Sequence, residues 1–333
     1  MVRTCCIKNI STLNNSTDDV TSTLSIAETL TATKVALTST GTLSVAAIAA
    51  LATCAVGLVA LARLIIRFRG TTYVAPLVWG AASLITLAAT ETIIATSDHA
   101  PDWNAGLRFF ATMGTFCPMM ALLGAKRPQD RGWQFIALSL WVILSLPSFE
   151  WLLFGGVAEI HAARCYFLVI LMGVGALNGV AIRYWPSSLL YCFGQIALIA
   201  PYFAELGNAM ETPWPLVGIM LIAGSWLLLA LGWPQASKAT RPLDRLWLDF
   251  RDTFGVVWGL RIMERMNASA TMYDWPVTLG WTGFQPRASA TMTETPAAVE
   301  ESLRSLLRRF VSPEWIEMRL NEFSPKTSGA AAD

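Results

Sequence analysis

Long apolar segments alternate with short polar ones along most of the chain. The longest nearly uninterrupted one covers residues 133–154, about 22 residues, which as a helix rising 1.5 Å per residue would extend roughly 33 Å. The hydrocarbon core of a bilayer is about 30 Å thick. We therefore predict that this segment crosses a membrane as a helix.

Three further apolar segments precede this one and three follow it. Each is close to the ~20 residues that a helical crossing needs. The predicted fold is thus an all-α polytopic membrane protein with seven transmembrane helices. The spans are placed at about 43–66, 73–95, 105–124, 133–154, 163–182, 185–206 and 214–233.

The regions outside the spans have a different composition. Residues 1–42 are rich in Ser and Thr and poor in apolar runs, which predicts a disordered tail, and residues 324–333 are predicted to be disordered as well. Residues 234–323 are predicted to form a cytoplasmic helical tail.

Within that tail, residues 242–267 carry apolar side chains at steps of three and four, as in Leu243, Leu246 and Phe250. This spacing predicts an amphipathic helix that lies on the membrane face or packs on a neighbouring element. Residues 268–294 are predicted to be a loop. Two short helices, one through Val311 and one through Phe323, are predicted to close the chain.

Composition agrees with a membrane location. Hydrophobic residues make up 54% of the chain and charged residues only 14%, against about 25% charged in soluble domains. The net charge of +1 gives no field for binding nucleic acid. The bilayer is the predicted partner, with other membrane subunits as a second partner class that the tail could dock.

Among the loops between the predicted spans, Lys and Arg occur only in alternate ones. Loops 1, 3 and 5 and the exit from the last span carry them, whereas the interiors of loops 2, 4 and 6 carry none. Because cytoplasmic loops collect positive residues, the N-terminus is predicted outside and the C-terminus in the cytoplasm of a bacterial cytoplasmic membrane.

Several chemical classes lack their sequence signals. The six cysteines form no CxxC pair and no secreted framework, so neither disulfides nor a zinc ribbon is predicted. No phosphate-binding glycine loop, GxSxG or HExxH occurs. Whether the protein is an enzyme stays open, and the lack of these motifs favours a non-enzymatic protein.

Charged residues near the outer ends of the predicted spans form a candidate outer polar layer. Its members are Glu91, Glu150, Glu205, Arg108 and Arg164. Ionisable groups in membrane segments are costly and are usually paired or functional. One interpretation is that Glu91 pairs with Arg108, and Glu150 with Arg164, as anchors between helices.

The other interpretation is an outward-facing cavity that binds a cation, a metal or a polar ligand. Glu150 is its strongest candidate. Pro147 adds weight to this choice, because a proline there tends to kink the helix just before the carboxylate and could open a polar pocket.

No cofactor is predicted outright, although three kinds of metal binding stay open. The only two histidines, His99 and His161, fall in predicted outer loops, where they could ligate copper or zinc or serve as axial ligands of haem. Met113, Cys117 and Met120 share one helical face and could bind Cu(I). The alternatives are independent surface histidines and sulfur side chains that only fill helix contacts.

Taken together, the leading functional class is a non-enzymatic structural or accessory membrane component. One alternative is a secondary transporter or ion-coupled carrier that uses the outer carboxylates. Another is a metal-handling or haem-handling membrane protein.

Overall fold

The computed structural model describes residues 44–97, 100–154, 160–203, 214–235, 241–287 and 297–321. The apolar part of the chain forms a helical bundle. Its helices are α1 Val45–Arg67, α2 Val74–Thr96, α3 Pro101–Gly114, α4 Cys117–Leu123, α5 Asp130–Leu144, α6 Leu146–Phe154, α7 Ala162–Val180, α8 Trp185–Ile199 and α9 Trp214–Leu231.

Six helical segments are long and apolar enough to cross a membrane. They are Val45–Arg67, Val74–Thr96, Pro101–Leu123, Arg131–Phe154, Ala162–Val180 and Trp214–Leu231. Large apolar side chains cover the outside of the bundle, among them Val45 at 84%, Phe154 at 86% and Leu177 at 70% exposure. Water-soluble proteins rarely expose apolar surface on this scale. The protein is therefore an α-helical membrane protein.

The predicted sixth span, 185–206, is shorter than expected. The α-helix ends at Ile199 and a 3₁₀ turn follows over Ala200–Tyr202. Pro201 explains the change, since it has no N–H to continue the helical ladder. With 15 residues, this α-helix is shorter than the six candidate spans, so the predicted number of seven spans is not established.

Prolines also divide two of the long segments. Pro118 lies where α3 gives way to α4, and the carbonyl of Thr115 at this break accepts hydrogen bonds from Tyr191 Oη (2.6 Å) and Gln195 Nε2 (3.1 Å). Neighbouring side chains thus satisfy a backbone group that a proline break leaves open. The predicted break before Pro147 is present too, because α5 ends at Leu144 and α6 begins at Leu146.

Small residues bring the central helices close together. A Cβ atom added to Gly218 of α9 would lie 3.0 Å from the carbonyl oxygen of Gly194 on α8. On the other side of α9, a Cβ on Gly57 of α1 would meet Ala223 at 3.1 Å. Membrane helices commonly associate through such small-residue contacts, so α9 is clamped between α8 and α1.

The tail that follows has more structure than the sequence predicted. Helix α10 spans Pro242–Met272 and bends at Gly255. Strands β1 Val277–Gly280 and β2 Gly283–Pro286 pair antiparallel, where a loop over 268–294 was predicted, and helices α11 Ala297–Leu307 and α12 Pro313–Asn321 come last.

The hairpin depends on a contact that local patterning does not reveal. The Asn267 side chain donates to the carbonyl of Leu279 at 2.9 Å and accepts from the amide of Leu279 at 2.7 Å. The side-chain amide of Asn267 thus pairs with the backbone of β1 as a neighbouring strand would. The loop prediction was wrong here because strands of four residues are too short to show a clear alternation.

The first half of the apolar stripe of α10 is buried within the protein. Trp247, Phe250 and Phe254 are fully buried in a core shared with the hairpin and with α11 and α12. Burying each such side chain contributes roughly 1.5–3 kcal/mol. Up to the bend at Gly255 the stripe therefore packs on neighbouring elements, the second of the two arrangements predicted. Beyond the bend, Leu260, which continues the same spacing, is 47% exposed, and Trp258 and Ile262 are buried instead.

Hydrogen bonds fasten the tail to one end of the bundle. Trp258 Nε1 donates to the carbonyl of Leu122 at 3.0 Å, and the amide of Thr72 donates to the carbonyl of Phe310 at 2.9 Å. Trp281 Nε1 donates to the carbonyl of Ala181 at 3.1 Å. We call this end of the bundle the tail end and the opposite one the far end.

The bend in α10 is part of the same junction. Gly255 has φ +83° and ψ −174°, a conformation open essentially only to glycine. Directly after it, the amide of Val257 donates to Asn178 Oδ1 of α7 at 3.0 Å. The second half of α10 thus receives its N-terminal cap from a side chain of the bundle.

Candidate functional site

An ion pair lies inside the bundle towards its far end. Glu91 of α2 and Arg108 of α3 form a bidentate contact, with Nε to Oε1 at 2.7 Å and Nη2 to Oε2 at 2.8 Å. Glu91 is only 8% exposed. Paired, parallel hydrogen bonds of this kind are the strongest form of arginine–carboxylate contact. The sequence had suggested this pair in its anchoring interpretation.

The pair borders a cavity of about 390 Å³. The far ends of α2, α3 and α9 and the 3₁₀ turn after α8 enclose it. We call it the polar cavity; its lining residues are Leu87, Glu91, Pro101, Asn104, Ala105, Arg108, Thr112, Leu198, Pro201, Tyr202, Trp214, Pro215 and Ile219.

Two polar atoms in this lining are buried without a hydrogen-bond partner among the described residues. They are Asn104 Oδ1 and Trp214 Nε1. A buried polar group left unpaired costs roughly 1–3 kcal/mol. These atoms are one acceptor and one donor at the same cavity. A ligand that forms hydrogen bonds with both would remove this cost, which favours its binding.

Aromatic packing holds another wall of the cavity in place. Tyr202 Oη donates to the carbonyl of Ala105 at 2.9 Å. Its ring stacks on Trp151 with centroids 6.0 Å apart and meets Phe109 edge-on at 5.0 Å. The hydroxyl is thus already committed, and Tyr202 shapes the cavity.

The charges of the lining cancel. Glu91 and Arg108 are the charged residues described there, and they neutralise one another. A ligand with net charge would find no unpaired counter-charge among the described lining residues. The arrangement suits a small molecule of zero net charge that carries both a hydrogen-bond donor and an acceptor, while Leu87, Leu198 and Ile219 cover its apolar part.

The other members of the predicted outer polar layer lie elsewhere. Glu150 is exposed on α6 and does not line the polar cavity, and no ion pair with Arg164 is recorded in the part of the chain described. Arg164 is half-buried near the start of α7. Glu205 falls outside the described residues. Their shared role in one layer stays a prediction.

The histidine hypothesis is not tested by this structure. His161 is exposed just before α7, and His99 lies outside the described residues. Within the described ranges, no group of three or more His, Cys, Asp or Glu side chains is placed to hold a metal ion. Copper, zinc or haem binding by the two histidines remains a prediction from the sequence.

The sulfur side chains of α3 and α4 take part in packing. Met113 and Cys117 are fully buried, and Met113 shares an apolar cluster with Met172, against which Cys165 and Cys192 pack. Cys117 Sγ donates to the carbonyl of Ala137 at 3.5 Å. These surroundings match the interpretation that Met and Cys fill helix contacts.

Three residues of the polar cavity were absent from the predicted site. Asn104 precedes Arg108 by four residues and so shares its helical face, a signal that the sequence does contain. Tyr202 and Trp214 lie on either side of a predicted outer loop. Only the packing of α8 and α9 brings them to the same cavity.

Fold and hydropathy define the class, a multi-pass α-helical membrane protein with a folded tail at one end. Comparisons with protein-family models, with curated proteins and with solved structures returned no match to this chain.

Proposed function

We propose that the protein is a non-enzymatic, seven-span integral membrane protein whose polar cavity binds a small polar molecule of zero net charge from the outer side. The observation that carries the proposal is that two buried polar atoms at one cavity, Asn104 Oδ1 and Trp214 Nε1, have no hydrogen-bond partner among the described residues and lie beside an ion pair whose charges cancel.

The ends of α8 support the seventh span. It starts beside Ala181 at the tail end, and its 3₁₀ extension finishes at Tyr202 against Ala105 at the far end. Fifteen α-helical and three 3₁₀ residues rise together about 28 Å, close to the bilayer core.

Orientation follows from charge. Arg67, Arg69, Lys126, Arg127 and Arg183 all lie at the tail end. By the positive-inside rule, the tail then lies in the cytoplasm of a bacterial cytoplasmic membrane and the polar cavity faces outward.

Thermal unfolding of the detergent-solubilised chain tests ligand binding. We expect glycerol or glycine, neutral and zwitterionic probes, to raise the melting temperature, and acetate and ethylammonium to leave it unchanged. Stabilisation grows to about 2.7 kcal/mol at roughly 100 times the dissociation constant. Uptake of the binding probe into proteoliposomes then shows whether the protein carries its ligand.

Variants locate the effect. Asn104→Leu removes the acceptor with little change in volume, and Trp214→Phe removes the donor together with part of the ring, so each should abolish the shift. Trp185→Phe is the matched control, since Trp185 is 47% exposed and lies at the tail end. The proposal would be contradicted if none of the four probes raised the melting temperature, or if the increase persisted in both Asn104→Leu and Trp214→Phe.

A second candidate function is a structural or accessory membrane component in which the ion pair only joins α2 to α3. The bidentate geometry favours it, because both carboxylate oxygens of Glu91 are already used. The probes discriminate the two functions. The double variant Glu91→Gln, Arg108→Gln should lose stability in either case, whereas a response to the probes, which depends on Asn104 and Trp214, is expected only of a binding site.

A further inference from the structure

A second cavity lies at the tail end, far from the polar cavity. Its volume is about 250 Å³, and it is formed by the loop after α4, the second half of α10 and the end of α11. Trp258, Ile262, Leu306 and Phe310 form its apolar floor. We call it the basic cleft, because its charged lining residues are Lys126, Arg261, Arg265, Arg309 and Glu264.

Four cations face a single carboxylate in this cleft, which leaves a net charge of +3. In the described parts of the chain, no ion pair is recorded for Lys126, Arg261, Arg265 or Arg309. Like charges that line one cleft repel one another, and an anion entering the cleft would relieve the repulsion.

Contacts between distant segments position these cations. The amide of Arg127 donates to the carbonyl of Arg309 at 2.8 Å, which holds Lys126 beside the end of α11. The guanidinium of Arg261 lies 4.9 Å from the centre of the Trp258 ring. Trp258 is itself bonded to Leu122, so the cleft is built into the junction between tail and bundle.

The cleft also lies next to the end of a candidate membrane span. Lys126 comes three residues after Leu123, the last residue of a candidate span. Phospholipid headgroups occupy this layer, and basic pockets next to transmembrane helices are suited to them. Arginine forks match the oxygen geometry of phosphate, to which they can donate two parallel hydrogen bonds.

We propose that the basic cleft binds a phosphate group. An anionic phospholipid headgroup or a soluble phosphate compound can present that group, and the apolar floor next to it accommodates the adjoining carbon chain. The site is independent of the ligand proposed for the polar cavity, because the two share no residue.

The test uses the full chain, delipidated in neutral detergent, and follows its melting temperature during titration with inorganic phosphate or with short-chain phosphatidylglycerol. Short-chain phosphatidylcholine is the neutral reference lipid. The variant Arg261→Gln, Arg265→Gln should weaken binding about fivefold for each arginine, roughly 25-fold in all. Arg261→Lys, Arg265→Lys keeps the charge but loses the fork geometry, so it should bind more weakly than the wild type and more tightly than the glutamine pair.

The matched control is Arg69→Gln, Arg287→Gln, which removes two arginines that do not line the cleft. It should bind as the wild type does. Binding of phosphatidylglycerol alone identifies a lipid headgroup, and binding of inorganic phosphate as well identifies a general phosphate site. The proposal is overturned if neither ligand binds, or if the control loses as much affinity as the cleft variant. If the double glutamine variant aggregates on size exclusion, Arg309→Gln takes its place. Arg309 contacts the loop after α4 through its backbone carbonyl, which this substitution leaves in place.

Discussion

The substitution Gly255→Ala tests whether the bundle and the tail are held by the junction at Gly255. This glycine has φ +83° and ψ −174°. A Cβ added there would also overlap the amide group of Asn178, the side chain that caps Val257. The variant therefore has to change the backbone at the bend or displace the cap.

The expected loss follows from two terms. A non-glycine residue in such a backbone conformation costs of order 1–3 kcal/mol. Losing a helix N-terminal cap costs about 1 kcal/mol more. We expect a destabilisation of the docked tail of about 3 kcal/mol, which is about a 100-fold shift in the equilibrium between docked and open forms.

Hydrogen exchange measured by mass spectrometry is the assay, since it reports the tail and the bundle separately. Amides of residues 257–272 should exchange faster in Gly255→Ala, while those of α1 and α2 keep their protection. Gly173→Ala is the control, because a Cβ there meets nothing within 4 Å and alanine is favoured over glycine inside a helix. Equal protection in Gly255→Ala and wild type would refute the reasoning.

Three further predictions concern single contacts. Arg108→Gln leaves the Glu91 carboxylate buried without its partner, so it should cost about 2 kcal/mol and more than the double variant with Glu91→Gln, as measured by unfolding in a double-mutant cycle. Tyr191→Phe removes one of the donors to the Thr115 carbonyl and should lower stability by about 1 kcal/mol in the same assay; an unchanged melting temperature would show that the break needs no second donor. Burial raises the pKa of Asp249 in the tail, so the folded state binds this proton more tightly than the unfolded one. Tail stability should then rise as the pH falls towards the ordinary carboxyl range and decrease as the pH rises through the raised pKa, and Asp249→Asn should flatten that slope in unfolding measured over the mildly acidic range.

The helices of the bundle were largely predictable because their signal is local. The segments predicted at 43–66 and 73–95 appear as Val45–Arg67 and Val74–Thr96. Pro147 likewise indicated a helix break at the correct place. Each of these features depends on consecutive residues, through backbone hydrogen bonding and apolar length.

The candidate site was predictable only in part. Glu91 and Arg108 could be placed at the same end of the bundle, because their helices run in opposite directions. The sequence could not favour Glu91 over Glu150, since the rotation of a helix decides whether a side chain faces its neighbours or the surroundings. Glu150, the strongest candidate from the sequence, is exposed, and Glu91 is buried.

In the tail, the spacing of Leu246 and Phe250 predicted a helix with one apolar face but not what covers it. The covering elements include a hairpin that Asn267 stabilises from another part of the chain.

By itself, then, the sequence determined that this is a helical membrane protein, where most helices of the bundle begin and end, and that the Lys and Arg residues of its loops collect in alternate loops. Tertiary structure alone decided which charges pair, that Asn104 and Trp214 meet at the polar cavity, and that four cations converge in the basic cleft. The reason is physical. Transfer of a segment from water and formation of its helix are properties of neighbouring residues, whereas a cavity is enclosed by side chains from segments that only packing brings together.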